Sequence, residues 1–450
     1  MATHGLALVR PGDENYDAAR AAWNRNARHR PLATVMATTT SDVQAAVRYA
    51  RAERLGVGVM ATGHGTAAPC DGGVLVNTSL MRDVRVDARC RTARVAAGAR
   101  WADVVPVAAA CGLAGLPGSS SHVSVTGYTM GGGFGWLGRR FGFAADSLLA
   151  AELVLADGTL VRTSAAEHPD LLWGLKGGGG NLGIVTALEF ALHPVAQVYA
   201  GNLFYPVDRA REVLAAYAAW SATLPDAMAS AAAFRLFPPL PTVPERFRGR
   251  TFMAVRVCWC GDDLGEGERW TKPLREALGE PEINTAAVMP AAAMDTISMD
   301  PVDPLCALSH SAMLRSLSPE VIETLVGLGS PSPLIMLELR QLGGALATPS
   351  GALSPMAHTD APFSLNAIGV TPTPERTAIV RSHLDRVAEE IRPHATGTTY
   401  VNFLDLAGAT PQRVRAAYSA SDWARLVALK ERWDPNNVFR FNRNIPPSGR

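Results

Sequence analysis

The sequence has little net charge and no apolar segment long enough to cross a membrane. Its 450 residues carry 42 Lys and Arg against 41 Asp and Glu, a formal net charge of +1. A charge this small provides no field that would attract nucleic acid or an anionic membrane surface, so neither is an expected partner. No apolar run reaches the roughly 20 residues of a transmembrane helix, and the first residues lack the basic and apolar regions of a signal peptide. We therefore expect a cytoplasmic protein.

Cysteine is also scarce. There is no CxxC pair and no cluster of cysteine with histidine at zinc spacing, so no metal site is expected. Cys258 and Cys260 flank Trp259 in a strand pattern, which predicts both thiols on one face as small buried hydrophobic groups. The six cysteines are Cys70, Cys90, Cys111, Cys258, Cys260 and Cys306.

The chain length suggests two or three domains, and the pattern of the sequence changes near residue 195. Before this point strand patterns alternate with helix patterns, and the clearest helix has Ser41 as its predicted N-cap and ends at Gly56. Residues 200–395 contain fewer glycine clusters and longer helices, and are predicted to form an inserted domain. The predicted buried face of the helix consists of Val43, Ala46, Val47 and Ala50.

Three glycine-rich loops, at 63–65, 127–135 and 177–183, stand out in the first half of the chain. Glycine lets the backbone approach a ligand because no Cβ intervenes, and successive loop N–H groups can hold a pyrophosphate. The loops favour a long nucleotide ligand, although tight turns between strands would use the same residues. GGGFGWLG formally matches the dinucleotide fingerprint, but Gly142 interrupts the helix that a Rossmann unit requires next. Four roles are open for His64 in the first loop: it could be a ligand, a base, a nucleophile or simply a polar loop residue.

Five segments in order resemble the FAD-linked oxidases of the berberine bridge enzyme-like group, within the larger vanillyl-alcohol-oxidase-type flavoproteins. They are VMATGHG, GSSSHVSVTGYTMGGGFGWLGRRFGFAADSL, DLLWGLKGGGGNLGIVT, YVNF and WDPNNVFRFNRNI. The resemblance implies an α+β fold in which a PCMH-type FAD-binding domain of two α+β subdomains carries an inserted substrate domain built on an antiparallel sheet flanked by helices. The implied boundaries are 1–199 for the FAD-binding domain, 200–395 for the substrate domain and 396–450 for the return to the FAD-binding domain.

The resemblance also assigns cofactor contacts. His64 lies where these proteins bond an imidazole nitrogen to the 8α carbon of FAD, and Ser120 lies where many relatives carry a cysteine for a second link. Because serine forms no thioether, a single covalent link is expected. Val123 lies where relatives tune oxygen access and resembles the oxidases. The other expected FAD contacts are Met60, Ala61, Thr62 (in place of the usual glycine), Gly63 and Gly65 at the pyrophosphate, Ser124, Val125, Thr126, Gly127, Tyr128 and Phe134 along the flavin, Val185 near the adenine, and Asn442.

The family's catalytic tyrosine is missing. Relatives that use a tyrosine base carry it at the fourth position of YVNF, where this chain has Phe403. Phenylalanine cannot accept a proton, so the remaining candidates for a catalytic role are Tyr400 and Asn402 of the same motif and Tyr128 of the flavin loop.

Glu338 is a further catalytic candidate. In MLELRQ, the two-residue alternation of a strand places Glu338 and Arg340 on one face. The pair could serve as an acid and base of the site. Alternatively it lies on a solvated outer face or forms a structural ion pair, and this second interpretation is preferred.

The resemblance implies an FAD-dependent oxidase of a small molecule. Hydride passes to the flavin, and O₂, the second expected partner, is reduced to H₂O₂. The alanine- and arginine-rich composition favours bacterial specialised metabolism. The alternatives are an oxidative cyclase that forms carbon–carbon bonds, a dehydrogenase, and a flavoprotein that binds a small molecule without turnover. Neither the substrate nor the oligomeric state follows from the sequence.

Overall fold

Three β-sheets and the helices packed on them form the protein, as a computed structural model shows. The structure describes residues 6–347, 354–356, 360–404 and 406–449. Helices and strands are segregated rather than regularly alternating over most of the chain, and two of the sheets are antiparallel. The predicted α+β class is confirmed.

The first sheet is small and parallel. Its strands are β1 (Ala33–Met36), β2 (Val57–Met60) and β3 (Val74–Asn77), in the order β1–β3–β2. Helix α1 (Tyr16–Ala19) precedes β1, and α2 (Thr40–Ala52) crosses over from β1 to β2. The predicted buried face of α2 is confirmed, since Val43, Ala46, Val47 and Ala50 are all fully buried. The predicted N-cap Ser41 is wrong.

The N-cap of α2 is Thr39. The Thr39 hydroxyl accepts a hydrogen bond from the backbone N–H of Asp42, whose carboxylate accepts one in return from the Thr39 N–H. This reciprocal pair is a capping box, which satisfies two N–H groups at once, whereas Ser41 already lies within the helix.

The second sheet is antiparallel, with the order β4–β5–β8–β6–β7. Its strands are β4 (Val84–Asp87), β5 (Thr92–Ala96), β6 (Leu148–Val154), β7 (Leu160–Ser164) and β8 (Ile184–Ala191). The helices of this region are α3 (Trp101–Ala109), α4 (Val125–Met130), α5 (Gly138–Phe141) and α6 (Pro169–Leu175). Cys111 lies in the exposed turn after α3.

The third sheet contains eight strands in the order β12–β9–β11–β10–β15–β16–β14, with β13 also paired to β9. The strands are β9 (Gln197–Pro206), β10 (Met228–Leu236), β11 (Thr251–Trp259), β12 (Ile283–Asn284), β13 (Ala287–Pro290), β14 (Ala307–Leu314), β15 (Met336–Gln341) and β16 (Phe363–Val370). Cys258 lies near the end of β11, and Cys260 directly follows the strand. Both thiols are buried.

Helices cover one face of the third sheet. They are α7 (Ala210–Ser221), α8 (Gly265–Leu278), α10 (Pro319–Gly329) and α11 (Pro374–Ile391), while the short α9 (Asp295–Ser298) lies near β9 and β11. Alternate strand residues such as Val255, Leu337 and Leu339 pack into this helical layer. The other face turns toward the first half of the chain, because Ala231 and Cys258 belong to the core of that half.

The end of the chain packs back onto the first half. Helices α12 (Pro411–Arg415) and α13 (Ala420–Trp433) follow the third sheet. The fully buried Lys430 donates hydrogen bonds to Asp434 Oδ2 at 2.7 Å, to the Asn181 carbonyl at 2.9 Å and to the Phe439 carbonyl at 3.0 Å. The ammonium group therefore joins the third glycine-rich loop to the terminal segment.

Candidate functional site

A cavity of about 350 Å³ lies where the first two sheets, the third sheet and the C-terminal segment meet. Its volume falls within the range of ligand sites in proteins. All three glycine-rich loops contribute to its wall. Of the site residues predicted from the sequence, the structure brings together here Met60, Ala61, Thr62, Gly63, His64, Gly65, Ser120, Ser124, Thr126, Gly127, Tyr128, Phe134, Val185, Tyr400, Asn402 and Asn442.

The segment before β1 holds the His64 loop in place. Gly63 has a φ of +73°, and a Cβ at this position would lie 2.5 Å from the Cβ of Ala22, so the loop needs glycine here. Trp23 donates its backbone N–H to the Thr62 carbonyl at 2.9 Å. The Trp23 indole lies face to face with the His64 imidazole, with ring centroids 4.1 Å apart and planes 17° apart.

The imidazole of His64 is neutral at physiological pH. Burial, followed by the charges of the nearby His122 and Arg100, lowers its pKa from 6.5 to about 4. Its Nε2 is buried and has no hydrogen-bond partner among the described residues. A neutral imidazole nitrogen with no partner, at the wall of a ligand cavity, is available as a nucleophile or as a ligand-binding group.

Tyr128, Tyr400 and Asn402 form a connected cluster in the wall of the cavity. Asn402 Nδ2 donates to the Tyr128 carbonyl at 2.9 Å and to the Tyr400 hydroxyl at 3.2 Å, and the Gly133 N–H also donates to the Tyr400 hydroxyl at 2.8 Å. A Cβ at Gly131 would lie 1.9 Å from Asn402 Oδ1, so this glycine makes room for the amide. The second glycine-rich loop and the YVNF motif therefore form one unit.

Both phenols of this cluster are protonated at neutral pH. Burial raises the pKa of Tyr400 to about 12 and raises that of Tyr128 well above its usual value. The Tyr128 hydroxyl is buried without a partner among the described residues. Phe403 also lines the cavity, with its ring centroid 5.7 Å from that of Phe134. No carboxylate belongs to the described wall, so its phenols serve as hydrogen-bond donors.

Glu338 does not reach the cavity. It is 3% exposed and ionised, because Arg340 and Arg256 hold its pKa below the usual value against the effect of burial. Glu338 pairs with Arg256 and with Arg340, so the structural ion pair that was one of the alternatives is present, and the solvated outer face is wrong. Helices cover the opposite face of the third sheet, so the face that carries Glu338 packs against the first half of the chain and is buried.

Val125 is the other predicted contact that the structure places elsewhere. It is fully buried in the hydrophobic core of the first half of the chain. As the first residue of α4, it points away from the cavity that its neighbours Ser124 and Thr126 line.

Several wall residues were missed by sequence reasoning. Arg340 was expected only as a partner of Glu338. Trp23, which packs on His64 behind the wall, lies outside the five motifs. The third glycine-rich loop could have been assigned from the sequence. Its repeated glycines were recognised as a possible ligand loop, but none of them was predicted to contact FAD. The additional wall residues include His29, Gly178, Gly179, Gly180, Asn181, Arg340, Phe439, Phe441 and Arg443.

The wall fits a large polar ligand such as FAD. Several buried oxygen atoms in this region have no hydrogen-bond partner among the described residues. Two glycines also border open space, because a Cβ built at either of them would meet no atom within 4 Å. Unsatisfied buried polar groups are costly, so a ligand that pairs with them would stabilise the fold. The atoms are Ser124 Oγ, Thr126 Oγ1, Tyr128 OH and Asn442 Oδ1, and the open glycines are Gly127 and Gly180.

A second cavity of about 460 Å³ adjoins the first. Ser119 and Ser120 line both cavities, and the second is otherwise walled mainly by the third sheet and its connections, including Phe247, Met289 and Met299. Among the described residues there is no cluster of His, Cys, Asp or Glu that could hold a metal ion. None of the described helices is both long and apolar enough to span a membrane.

Comparison with known proteins gives the same result over both ends of the chain. A family model described as an FAD binding domain matches residues 31–164, and one described as berberine and berberine like matches residues 399–446. An FAD-linked oxidoreductase of Dictyostelium discoideum is 27% identical over 453 residues, covering 98% of this chain and 94% of the relative.

A hydroxynicotine oxidase is similarly related. The (R)-6-hydroxynicotine oxidase of Paenarthrobacter nicotinovorans is 26% identical over 467 residues, covering 98% of this chain and 97% of the relative. The crystal structure of 6-hydroxy-D-nicotine oxidase from Arthrobacter nicotinovorans superimposes with a TM-score of 0.86 at 25% identity, covering 99% of this chain and 98% of that one. The protein is thus an FAD-dependent oxidoreductase with the PCMH-type FAD-binding fold, and the two ends of its chain are similar to the berberine bridge enzyme-like FAD-linked oxidoreductases.

Proposed function

We propose that this protein is an FAD-dependent oxidase of a small molecule, with its FAD bonded once, through His64. The observation that carries the proposal is the buried imidazole of His64, which is neutral, has an unpartnered Nε2 and is held at the cavity wall by Trp23. A nitrogen in this state can form a bond to the 8α carbon of FAD. Forming that bond is an oxidation, so O₂ takes up the two electrons that it releases.

The loops would divide the cofactor between them. The backbone of residues 60–65 provides N–H groups for the pyrophosphate, and Val185 would contact the adenine side. Ser124, Thr126 and Tyr128, whose side-chain oxygens lack partners, would lie along the flavin. The domain boundaries 1–199, 200–395 and 396–450 belong to the same proposal.

A second covalent link is not expected. Ser120 lines the cavity where relatives carry a linking cysteine, and a hydroxyl forms no thioether. Cys111, which precedes it in the chain, is exposed in the turn after α3 and does not line the cavity.

Bound FAD supplies the hydride acceptor and the route by which electrons reach O₂, giving H₂O₂. The protein binds and orients the substrate, and the neutral phenols of Tyr128 and Tyr400 donate hydrogen bonds to it. With Phe403 in place of a tyrosine and no carboxylate in the described wall, the substrate's O–H or N–H proton leaves to water. The second cavity, which meets the first at Ser119 and Ser120, provides an access route.

The alternatives differ in what happens after the substrate is bound. Val123 lines the cavity, and its resemblance to the oxidases at the position where relatives tune O₂ access supports an oxidase rather than a dehydrogenase. An oxidative cyclase would use the same site and differ in its product, and a binding protein would show no turnover. A cytoplasmic location and a role in bacterial specialised metabolism complete the proposal.

Acid precipitation of the purified protein tests the cofactor and its link. We expect a yellow pellet and an intact mass increased by one FAD, lost in His64→Ala and kept in the matched variant Ser120→Ala. Yellow supernatant over a colourless pellet would contradict the covalent link. Photoreduction followed by exposure to air then tests the oxidase: rapid reoxidation with H₂O₂ release is expected, and slow reoxidation would favour a dehydrogenase or a binding protein.

A further inference from the structure

Arg340 presents one edge of its guanidinium group to the cavity. Its Nε and Nη2 both donate to Glu338 Oε1, at 3.1 and 2.7 Å, so the carboxylate occupies this edge of the group. Its Cζ lies 4.7 Å from the ring centroid of Trp136 and 5.7 Å from that of Phe134, so the group is held between Glu338 and two aromatic rings. Among the described residues the hydrogen bonds of Arg340 leave from Nε and Nη2, which keeps Nη1 for a ligand in the cavity that this 8% exposed residue lines.

Arg340 also belongs to a buried cluster with an excess of positive charge. We define the arginine cluster as Arg235, Arg256, Arg340 and Glu338; it carries three positive charges and one negative charge, and all four side chains are buried. Burial and the neighbouring Arg256 lower the pKa of Arg235 to about 10, an effect that Asp300 opposes. Buried charge without a counterion is costly, which makes an anion at the open edge favourable.

The strand register explains why the charge is directed at the cavity. Arg256, Ala231 and Arg340 are cross-strand neighbours on β11, β10 and β15 and share one face of the sheet. The small Ala231 side chain lies between the two arginines. Ser364 of β16 is opposite Arg340 on the other side, and its buried hydroxyl has no partner among the described residues. Arg340 is the member of the cluster that lines the cavity.

We infer that Arg340 binds the carboxylate of the substrate, so that the substrate is a small carboxylic acid with an apolar body. The planar guanidinium fork matches a carboxylate through two parallel hydrogen bonds. Phe134, Phe403 and Met130 line the same cavity and provide apolar surface for the rest of the molecule. The inference rests on the proposed function, because it concerns the substrate of that site.

Ligand binding to the flavin-containing holoprotein tests the inference without requiring the substrate. Benzoate is the probe and benzamide is its neutral counterpart of the same shape; each is titrated at constant ionic strength while the flavin absorption spectrum is recorded. Because a hydrogen-bonded charge pair contributes about 1.5–3 kcal/mol, benzoate should bind about tenfold to a hundredfold more tightly than benzamide. In Arg340→Met this preference should fall to about threefold or less.

Two further variants separate contact from the general field. Arg340→Lys keeps the charge without the fork and should retain part of the preference. Arg235→Met removes a charge of the same cluster that does not line the cavity, and should leave most of the preference in place. If Arg340→Met fails to fold, the comparison of Arg340→Lys with the unaltered protein decides the question.

The unaltered protein already offers a decisive result. Benzamide binding as tightly as benzoate, failure of benzoate to perturb the spectrum at millimolar concentration, or an unchanged preference in Arg340→Met would each overturn the inference. An equal loss of both ligands in Arg340→Met would do so as well, since it would mean a role toward the flavin rather than the carboxylate. Protein that carries no flavin would instead refute the proposed function.

Discussion

The pH dependence of flavin attachment tests whether His64 reacts as a buried neutral imidazole. Burial, followed by His122 and Arg100, lowers its pKa to about 4. A base with a lowered pKa stays neutral at more acidic pH, so at pH 5 about nine tenths of the His64 side chains are neutral, against about 3% for a pKa of 6.5. We expect nearly the same attachment rate at pH 5 and pH 8, with half the maximal rate near pH 4.

Trp23→Ala is the informative perturbation. The indole covers one face of the His64 imidazole at a centroid distance of 4.1 Å, and its removal exposes that face to water. The pKa should then rise toward 6.5, so the attachment rate at pH 5 falls by up to about thirtyfold while the rate at pH 8 changes little. Trp23→Phe keeps an aromatic face over the imidazole and should follow the unaltered protein.

The assay uses apoprotein from cells limited in riboflavin. FAD is added at each pH, samples are quenched in acid, and covalent flavin is measured by fluorescence after denaturing electrophoresis, with His64→Ala as the blank. A rate that falls with an apparent pKa near 6.5 in the unaltered protein would refute the reasoning. So would a Trp23→Ala profile lowered by the same factor at every pH, because that would indicate lost positioning without a change in pKa.

Three other predictions concern the framework of the site. Lys430→Met leaves the buried Asp434 carboxylate without its cation and removes the ammonium donor of two buried carbonyls, so it should destabilise the protein by about 3–5 kcal/mol. Arg432→Met removes an exposed ion pair on the same helix and should cost less than about 1 kcal/mol. Thermal unfolding distinguishes the two variants, and equal shifts would contradict the argument. Tyr400→Phe removes the acceptor of two N–H donors and should lower stability by about 1–3 kcal/mol in urea unfolding, with no change contradicting the assigned hydrogen bonds. Burial lowers the pKa values of His193 and His310 to about 4. Between pH 6.5 and 4 the unfolded state therefore binds more protons than the folded state. The stabilisation is complete above this window, and the free energy of unfolding falls with acidification by up to about 1.4 kcal/mol per pH unit for each residue. His193→Gln should flatten the dependence of the urea midpoint on pH, and an unchanged slope would show that this histidine is not buried neutral.

Local patterns in the sequence were sufficient for much of the fold. The spacing of Val43, Ala46, Val47 and Ala50 predicts the buried face of α2, because side chains one helical turn apart share a face whatever packs against them. The ordered motifs identify the cofactor family, and the glycine-rich loops mark where the backbone approaches the cavity. The N-cap of α2 was misplaced because Thr39 and Ser41 are both capping residues, and only the hydrogen bonds distinguish them.

Residues far apart in the chain depend on tertiary packing. Strand alternation placed Glu338 and Arg340 on one face, but it cannot say whether that face meets water or the rest of the protein. The answer depends on helices that cover the opposite face of the sheet. The meeting of Trp23 with His64 likewise carries no local signal, because it requires the segment before β1 to pack on the loop after β2.

The sequence by itself determined the fold class, the cofactor family and most of the residues around the cavity, since these follow from short-range periodicity and contiguous motifs. The tertiary structure decided the state of those residues: that His64 is buried beneath an indole, that Glu338 is occupied by two arginines, and that Arg340 faces the cavity. Burial and charge pairing are properties of the whole packed molecule. They set the pKa values and open hydrogen-bonding edges on which the chemistry depends.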